Sequence, residues 1–238
     1  KIKAKVDSVS ERLDSLAKIS LGMKLRANDE FVSRKRDRIH PDIIYFGDDI
    51  SRYSPLKPSR FFDFSNAIIV GGTKRPEIQK AKPKILIQAI RNLRLPRRIV
   101  ATLDREGMCF VGTVNGVTIL NHSYNIFYLL GIINSAFLNT YFRKRFTTIS
   151  LTAAFLGALP IPKLDNSISA EKARQNRVIR LVYSILAMYN QLADAKSVAQ
   201  KGIIQRQINS KDKEIDRLVY DLYGLTREEI KIVEGETK

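Results

Sequence analysis

The stretch from Asn125 to Pro162, NIFYLLGIINSAFLNTYFRKRFTTISLTAAFLGALPIP, restricts the fold more than any other part of the chain. Leu130, Ile133, Phe137, Leu138 and Tyr141 fall at i, i+3, i+7, i+8 and i+11, one apolar stripe on the 3.6-residue period of a helix. Arg143, Lys144 and Arg145 follow, cations where the helix macrodipole is negative. After a Thr/Ser-rich break, Ala158-Leu159-Pro160-Ile161-Pro162 puts prolines at alternate positions. Proline lacks an amide hydrogen and has a fixed φ, so this segment is expected to be extended, at an edge, closing a domain. The pattern predicts a core helix followed by an exit strand.

Charge says what such a core would carry. The 238 residues are 44% hydrophobic, enough for one large domain or two smaller ones with a packed core. Lys and Arg number 41 against 24 Asp and Glu, a net +17, so the expected partner is a polyanion. The excess is uneven: about +5 over residues 1–62, +10 over 63–164 and +2 over 165–238. The middle is the surface expected to meet phosphates. A lone cysteine, Cys109, sits among apolar neighbours, as a small buried hydrophobe in a reducing compartment would. No apolar run reaches the roughly 18 residues of a membrane span, and a cytoplasmic location is expected. The first residue is Lys1, as expected of part of a longer polypeptide.

Residues 5–21 place Val9, Leu13, Leu16 and Ile19 near helical spacing, as a short helix or the lead-in to a first strand. Short strands are expected at 31–33, 43–46, 67–70, 84–88, 99–103, 108–111 and 117–120, from β-branched and aromatic runs between turn residues. Asp104-Arg105-Glu106-Gly107 reads as a hairpin-like turn, and Asn115-Gly116 as a turn before the last strand. The loops are dense in side chains that reach base edges. Arginine pairs with guanine, and asparagine and glutamine with adenine; arginine also grips phosphate through two hydrogen bonds. The candidate DNA-contacting set is Arg34, Lys35, Arg36, Lys74, Arg75, Gln88, Arg91, Asn92, Arg94, Arg97, Arg98, Arg105, Arg143, Lys144 and Arg145. The bland alternative is that a basic protein has basic loops.

Residues 165–238 read as helical. A helix is expected from about 170 to 199, capped by Ser169, with Ile179, Val182, Leu186 and Tyr189 on one stripe. Gly202 is expected to interrupt before a second helix running to Tyr223, with Gly224 just past its end. Thr226-Arg227-Glu228-Glu229 has the capping-box pattern, with Leu225 and Ile230 as its hydrophobic staple. The fold class expected is α+β: a small twisted sheet with a core helix over 1–164, then a helical hairpin or bundle over 165–238 that supports or docks.

No catalytic constellation emerges. His40 and His122 lie far apart and lack metal-type partners. Gly71-Gly72-Thr73-Lys74 lacks the spacing of a phosphate loop, and Pro76 follows at once. Asp48, Asp49, Asp104 and Glu106 could hold magnesium in a nuclease, although acidic residues are common in turns for turn reasons alone. No catalytic or metal residue is assigned.

Taken together, several ordered motifs give a resemblance. Leu16 to Phe31, Phe46-Gly47-Asp48-Asp49-Ile50-Ser51-Arg52-Tyr53, Lys82-Pro83-Lys84-Ile85-Leu86-Ile87, Tyr128 to Phe142, Leu159-Pro160-Ile161-Pro162 and the final helices from Glu214 to Thr226 run in one order. In that order they resemble the TaqI-like C-terminal specificity domain of adenine-specific restriction-modification DNA methyltransferases, and half of a type I specificity subunit. The resemblance implies a module that reads double-stranded DNA, chiefly through loops 71–82 and 88–98. It also implies an upstream domain of the same polypeptide that binds S-adenosylmethionine, with magnesium if the parent also cleaves. The N/D-P-P-Y/F motif of that chemistry does not occur in this sequence. A stand-alone magnesium-dependent nuclease and a type I specificity subunit-like assembly protein are the alternatives.

Overall fold

The computed structural model describes residues 2–26, 31–164 and 168–235. The first half carries α1 (Ile2–Val9), β1 (Ser10–Arg12), α2 (Leu13–Leu16), β2 (Ala17–Leu21), β3 (Lys24–Leu25), β4 (Val32–Ser33), β5 (Asp42–Tyr45), β6 (Phe61–Phe62), β7 (Ile69–Gly71), α3 (Pro76–Gln79), β8 (Lys84–Gln88), β9 (Ala101–Asp104), β10 (Cys109–Phe110) and β11 (Val114–Ile119). Then follow α4 (Ile126–Asn134), α5 (Ala136–Arg145), α6 (Ala153–Gly157), β12 (Pro160–Pro162), α7 (Ser169–Asp194), α8 (Val198–Leu222) and α9 (Arg227–Glu234). The fold is mixed α+β, as the sequence predicts.

Alternation along the strands builds three layers. The central antiparallel sheet has the order β2-β11-β8-β9. In β8, Ile85 and Ile87 face the helices, while Leu86 faces the other way. Successive side chains of a strand point to opposite faces, so one five-residue strand serves two cores. On the far face, Leu86 and Val114 meet Tyr45 and Phe110 of a second sheet, ordered β10-β5-β6-β4. Beyond that sheet, Ile44, Phe62, Cys109 and Met23 form a third cluster with Leu25, Phe31, Phe64 and Ile69. Burial pushes the Cys109 thiol up to about 12, as for a packing residue.

The helical layer starts with the Asn125–Arg145 stretch, which is two helices and not one. Asn134 is fully buried and donates its side-chain amide to Ala101 O at 3.0 Å while its Oδ1 accepts from Ala101 N at 3.1 Å. Ser135 adopts extended backbone and caps α5, accepting from Leu138 N at 3.2 Å. Asn139 then accepts from Ile99 N at 2.8 Å. Helical periodicity carries across the break because both helices bury apolar faces. Gly131 of α4 faces Val178 and Val182 of α7, where a Cβ would stand 2.9 Å from a methyl of each. The apolar core is continuous across residue 164, running from Val6 and Leu130 to Val182, Ile215 and Val233.

Other departures have local causes. Gly202 lies inside α8; the chain turns between α7 and α8 at Ala195–Ser197, where Ser197 caps the new helix. Asn115 and Gly116 belong to β11, and Gly116 is needed because the Phe110 ring packs where its Cβ would be. The chain after Asp104 does not pair back on β9; β10 crosses to pair parallel with β5. The proline segment, β12, pairs antiparallel with the short β1, away from the central sheet. The Thr226–Glu229 capping box forms as predicted.

Candidate nucleic-acid interface

One end of the central sheet gathers the loops. There β2 and β8 finish, and β9 and β11 begin, as the pairs Asn115–Leu21, Val114–Gln88 and Ile87–Ala101 require. The second sheet ends there too: Gly47 N donates to Thr113 Oγ1 at 2.9 Å, and Gln88 Nε2 donates to Gly47 O and Ile50 O, both at 2.7 Å. Arg34 follows β4 at this end, close enough to Asp48 to help Arg60 hold that carboxyl below its usual range.

The candidate residues divide by what their side chains already touch. Arg34, Lys35, Arg36, Arg75, Asn92 and Arg94 are exposed. Arg36 also braces its own loop, donating to Pro41 O at 3.1 Å. Lys74 is half-buried, donating to Ser65 O at 2.9 Å and Ala67 O at 2.7 Å. Gln88 joins the two sheets, as above, and also accepts from Arg91.

The arginine-rich loop is the main correction. Arg98 is fully buried, donating to the carbonyls of Arg91 and Thr148, so it cannot reach a duplex. Arg91 donates to Arg97 O at 3.0 Å, and Arg97 donates to Asn134 O at 2.9 Å. These three arginines root the loop, while Asn92 and Arg94 stand at its tip. Arg105 belongs to a different place: it follows β9 at the opposite end of the sheet, over the rings of Phe127 and Tyr183 at 5.4 and 5.2 Å. Arg143, Lys144 and Arg145 are exposed at the end of α5, but Lys144 and Arg145 border an apolar groove with Ile2, Tyr141 and Val233 on the side of α1 and α9.

Three of the four acidic residues weighed for magnesium are engaged, and Glu106 is exposed. Arg60 donates to Asp48 at 2.9 and 2.6 Å and to Asp49 at 2.8 Å. Asp49 also accepts from Phe46 N at 2.8 Å. Asp104 is buried against Lys84 at 2.6 Å and accepts from the amides of Glu106, Gly107 and Met108. Burial lowers the Lys84 ammonium from its ordinary value. Among the described residues, no three His, Cys, Asp or Glu side chains group as a metal site would.

Two sets of residues escaped the sequence reading. Lys24 and Arg26 are exposed cations in the small-sheet layer, as is Arg38 at the end of the basic run that starts at Arg34. Lys24 and Arg26 flank the inward Leu25 in a period-two pattern too short to stand out in the sequence. The other set holds the layers together. Arg52, in the Gly47–Tyr53 motif, donates to Asn134 O at 2.9 Å and makes a two-pronged contact with Asp212 of α8, one arm at 2.6 Å. Arg97 lies 3.6 Å from Asp212 and 4.0 Å from Asp216. Asp216 in turn accepts from Ala136 N, at the start of α5, at 2.7 Å. Sequence separation hides these partners; the motif shows only that an arginine is there.

A loop-bearing sheet pair is thus fixed to a helical hairpin. The family model of the TaqI-like C-terminal specificity domain matches residues 42–161, just over half of the chain, and the chain belongs to that family. In fold it is similar to MmeI, a type IIL restriction-modification enzyme whose structure is of a complex with DNA. That match has a TM-score of 0.62 at 11% identity and covers 94% of this chain and 36% of the other. It is also similar to a chain of a type I restriction-modification assembly, with a TM-score of 0.51 at 13% identity, covering 93% of this chain and 50% of the other. The chain thus spans about a third to a half of the solved chains it matches. A search of curated protein sequences finds no match. Among the described residues no helix is long and apolar enough to cross a membrane.

Proposed function

We propose that this specificity domain reads double-stranded DNA for a restriction-modification enzyme, and that a domain upstream in the same polypeptide, using S-adenosylmethionine, methylates adenine. Magnesium belongs to the parent only if it also cleaves, and the cytoplasm is where such an enzyme meets its DNA. The observation that carries the reading is electrostatic. Lys24, Arg26, Arg34, Lys35, Arg38, Arg75 and Arg94 are exposed on the small-sheet layer and the loop end. Among the described residues, the aspartates of the same layer are neutralised or capped locally: Asp42 by Lys80, Asp48 and Asp49 by Arg60, Asp63 by Asn66 and Asp37 by His40, while Glu77 stays exposed. A surface that keeps its cations free and most of its anions paired suits phosphates. The nuclease reading is weaker, because Asp48, Asp49 and Asp104 are already held by Arg60, Lys84 and turn amides.

The test is selection of bound duplexes from a randomised library by the purified chain, then titration of the selected duplex at several salt concentrations. A recurrent sequence, with affinity falling steeply as salt rises, is the expected result. Capture without sequence enrichment, or salt-independent binding, overturns the proposal. Magnesium-dependent cutting by the chain alone would favour the nuclease instead.

A further inference from the structure

The two-stranded ribbon β3–β7 presents two β-branched apolar side chains to solvent beside two cations. Ile69 and Leu25 turn inward to the third cluster. Between and beyond them, Val70 is 68% and Ile68 47% exposed, and Lys24 and Arg26 are exposed on the partner strand. The ladder slips by one residue here: Lys24 pairs with Gly71 but Leu25 with Ile69, so Val70 is the extra residue of a β-bulge, and Arg26 N donates to Ile68 O at 2.9 Å. Gly72, at φ +70°, closes the ribbon against Gly22 O, where any Cβ would collide. Single exposed apolar residues are ordinary on a surface. Here two alternate positions on one strand lie next to two cations on a fixed ribbon.

Resting on the DNA-reading function proposed above, we propose that this ribbon enters the major groove and that Ile68 and Val70 recognise the C5-methyl groups of thymines, with Lys24 and Arg26 on the flanking phosphates. The major groove admits a two-stranded ribbon, and thymine displays its methyl there for apolar contact. The recognised sequence therefore carries T·A pairs where the two side chains meet the groove. The cations beside the patch match a polyanionic partner.

Replacing thymine by uracil removes only the methyl and leaves the pairing intact. The duplex selected by the wild-type chain is remade with uracil, and both duplexes are titrated with the wild type and with the Ile68→Ala/Val70→Ala variant. Both side chains are exposed, so the variant is expected to keep the wild-type thermal midpoint. The wild type should bind the thymine duplex roughly fourfold more tightly per methyl contacted, and the variant should lose that preference. Equal binding of the two duplexes by the wild type overturns the inference and leaves the DNA-reading function standing. So does an undiminished preference in the variant, or a selected sequence without T·A pairs. Failure to select any duplex overturns both. A wild-type dimer that becomes monomeric in the variant assigns the patch to a second copy of the chain and overturns the inference.

Discussion

Arg52 and Asp212 lie 160 residues apart in sequence and meet in a two-pronged ion pair, with side chains 17% and 13% exposed. Arg52 follows the turn that leaves the second sheet, and Asp212 sits on α8, so the pair ties the sheet side of the molecule to its helical hairpin. The same guanidinium donates to Asn134 O, where α4 ends. Arg52→Ala leaves Asp212 with only the longer contact to Arg97 and should cost about 3 kcal/mol, the usual scale for breaking a largely buried pair. Denaturant unfolding measures it; a loss within about 0.5 kcal/mol, the range of ordinary surface changes, would deny the pair a structural role.

Asp216 should make stability depend on pH. Burial raises its carboxyl from 3.8 to about 6, against the opposing pull of the Ala136 amide. A carboxyl with a higher value folded than unfolded favours the folded chain when protonated. Its contribution is full below about pH 4 and is lost as the pH rises through 6. Asp216→Asn keeps an acceptor for the Ala136 amide and removes the titration. The unfolding free energy of the variant minus that of the wild type should increase between pH 4 and pH 7 by on the order of 2 kcal/mol. A difference that stays flat over that range contradicts the assignment.

Gly131 sets how closely α4 approaches α7. Gly131→Ala places its methyl against Val178 and Val182, an overpacking cost of about 1–3 kcal/mol offset by about 1 kcal/mol of helix propensity. Val178→Ala vacates part of the space. The Gly131→Ala/Val178→Ala chain should therefore be more stable than the two single changes predict when added, by at least about 0.5 kcal/mol. Additive singles would mean the helices part without resistance.

Arg94 and Arg98 lie four positions apart and should fail differently. Arg94→Ala is expected to lower the salt slope of DNA binding by about one and to leave the thermal midpoint in place. Arg98→Ala removes a buried guanidinium from the Arg91 and Thr148 carbonyls and should lower the midpoint instead. If Arg98→Ala changes only the slope, the rooted-loop description is wrong.

Those two arginines also show where the sequence stops being informative. Composition locates a basic stretch at 91–98, but nothing in its spelling separates a side chain that roots the loop from one at its tip. That depends on Thr148 and Asn134, which folding brings in from elsewhere. Local features were legible: the capping box at Thr226, the five-residue strand at Lys84, the proline edge strand at Pro160. The break at Ser135 was not, because the apolar stripe continues across it and the cause is an amide pairing with a strand over thirty residues away. Likewise Asn115-Gly116 has the composition of a turn, and only the Phe110 ring explains why a glycine is needed in mid-strand.

The Asn134 carboxamide occupies a place where a further strand could dock. Ala101 lies on the outermost strand of its sheet, and its outward amide and carbonyl are both taken, by Asn134 and by Tyr53 N at 3.0 Å. An open border of this kind is what lets sheets recruit foreign chains and polymerise. A side chain from the protein's own helix seals this stretch of the border, so no foreign strand can anneal there.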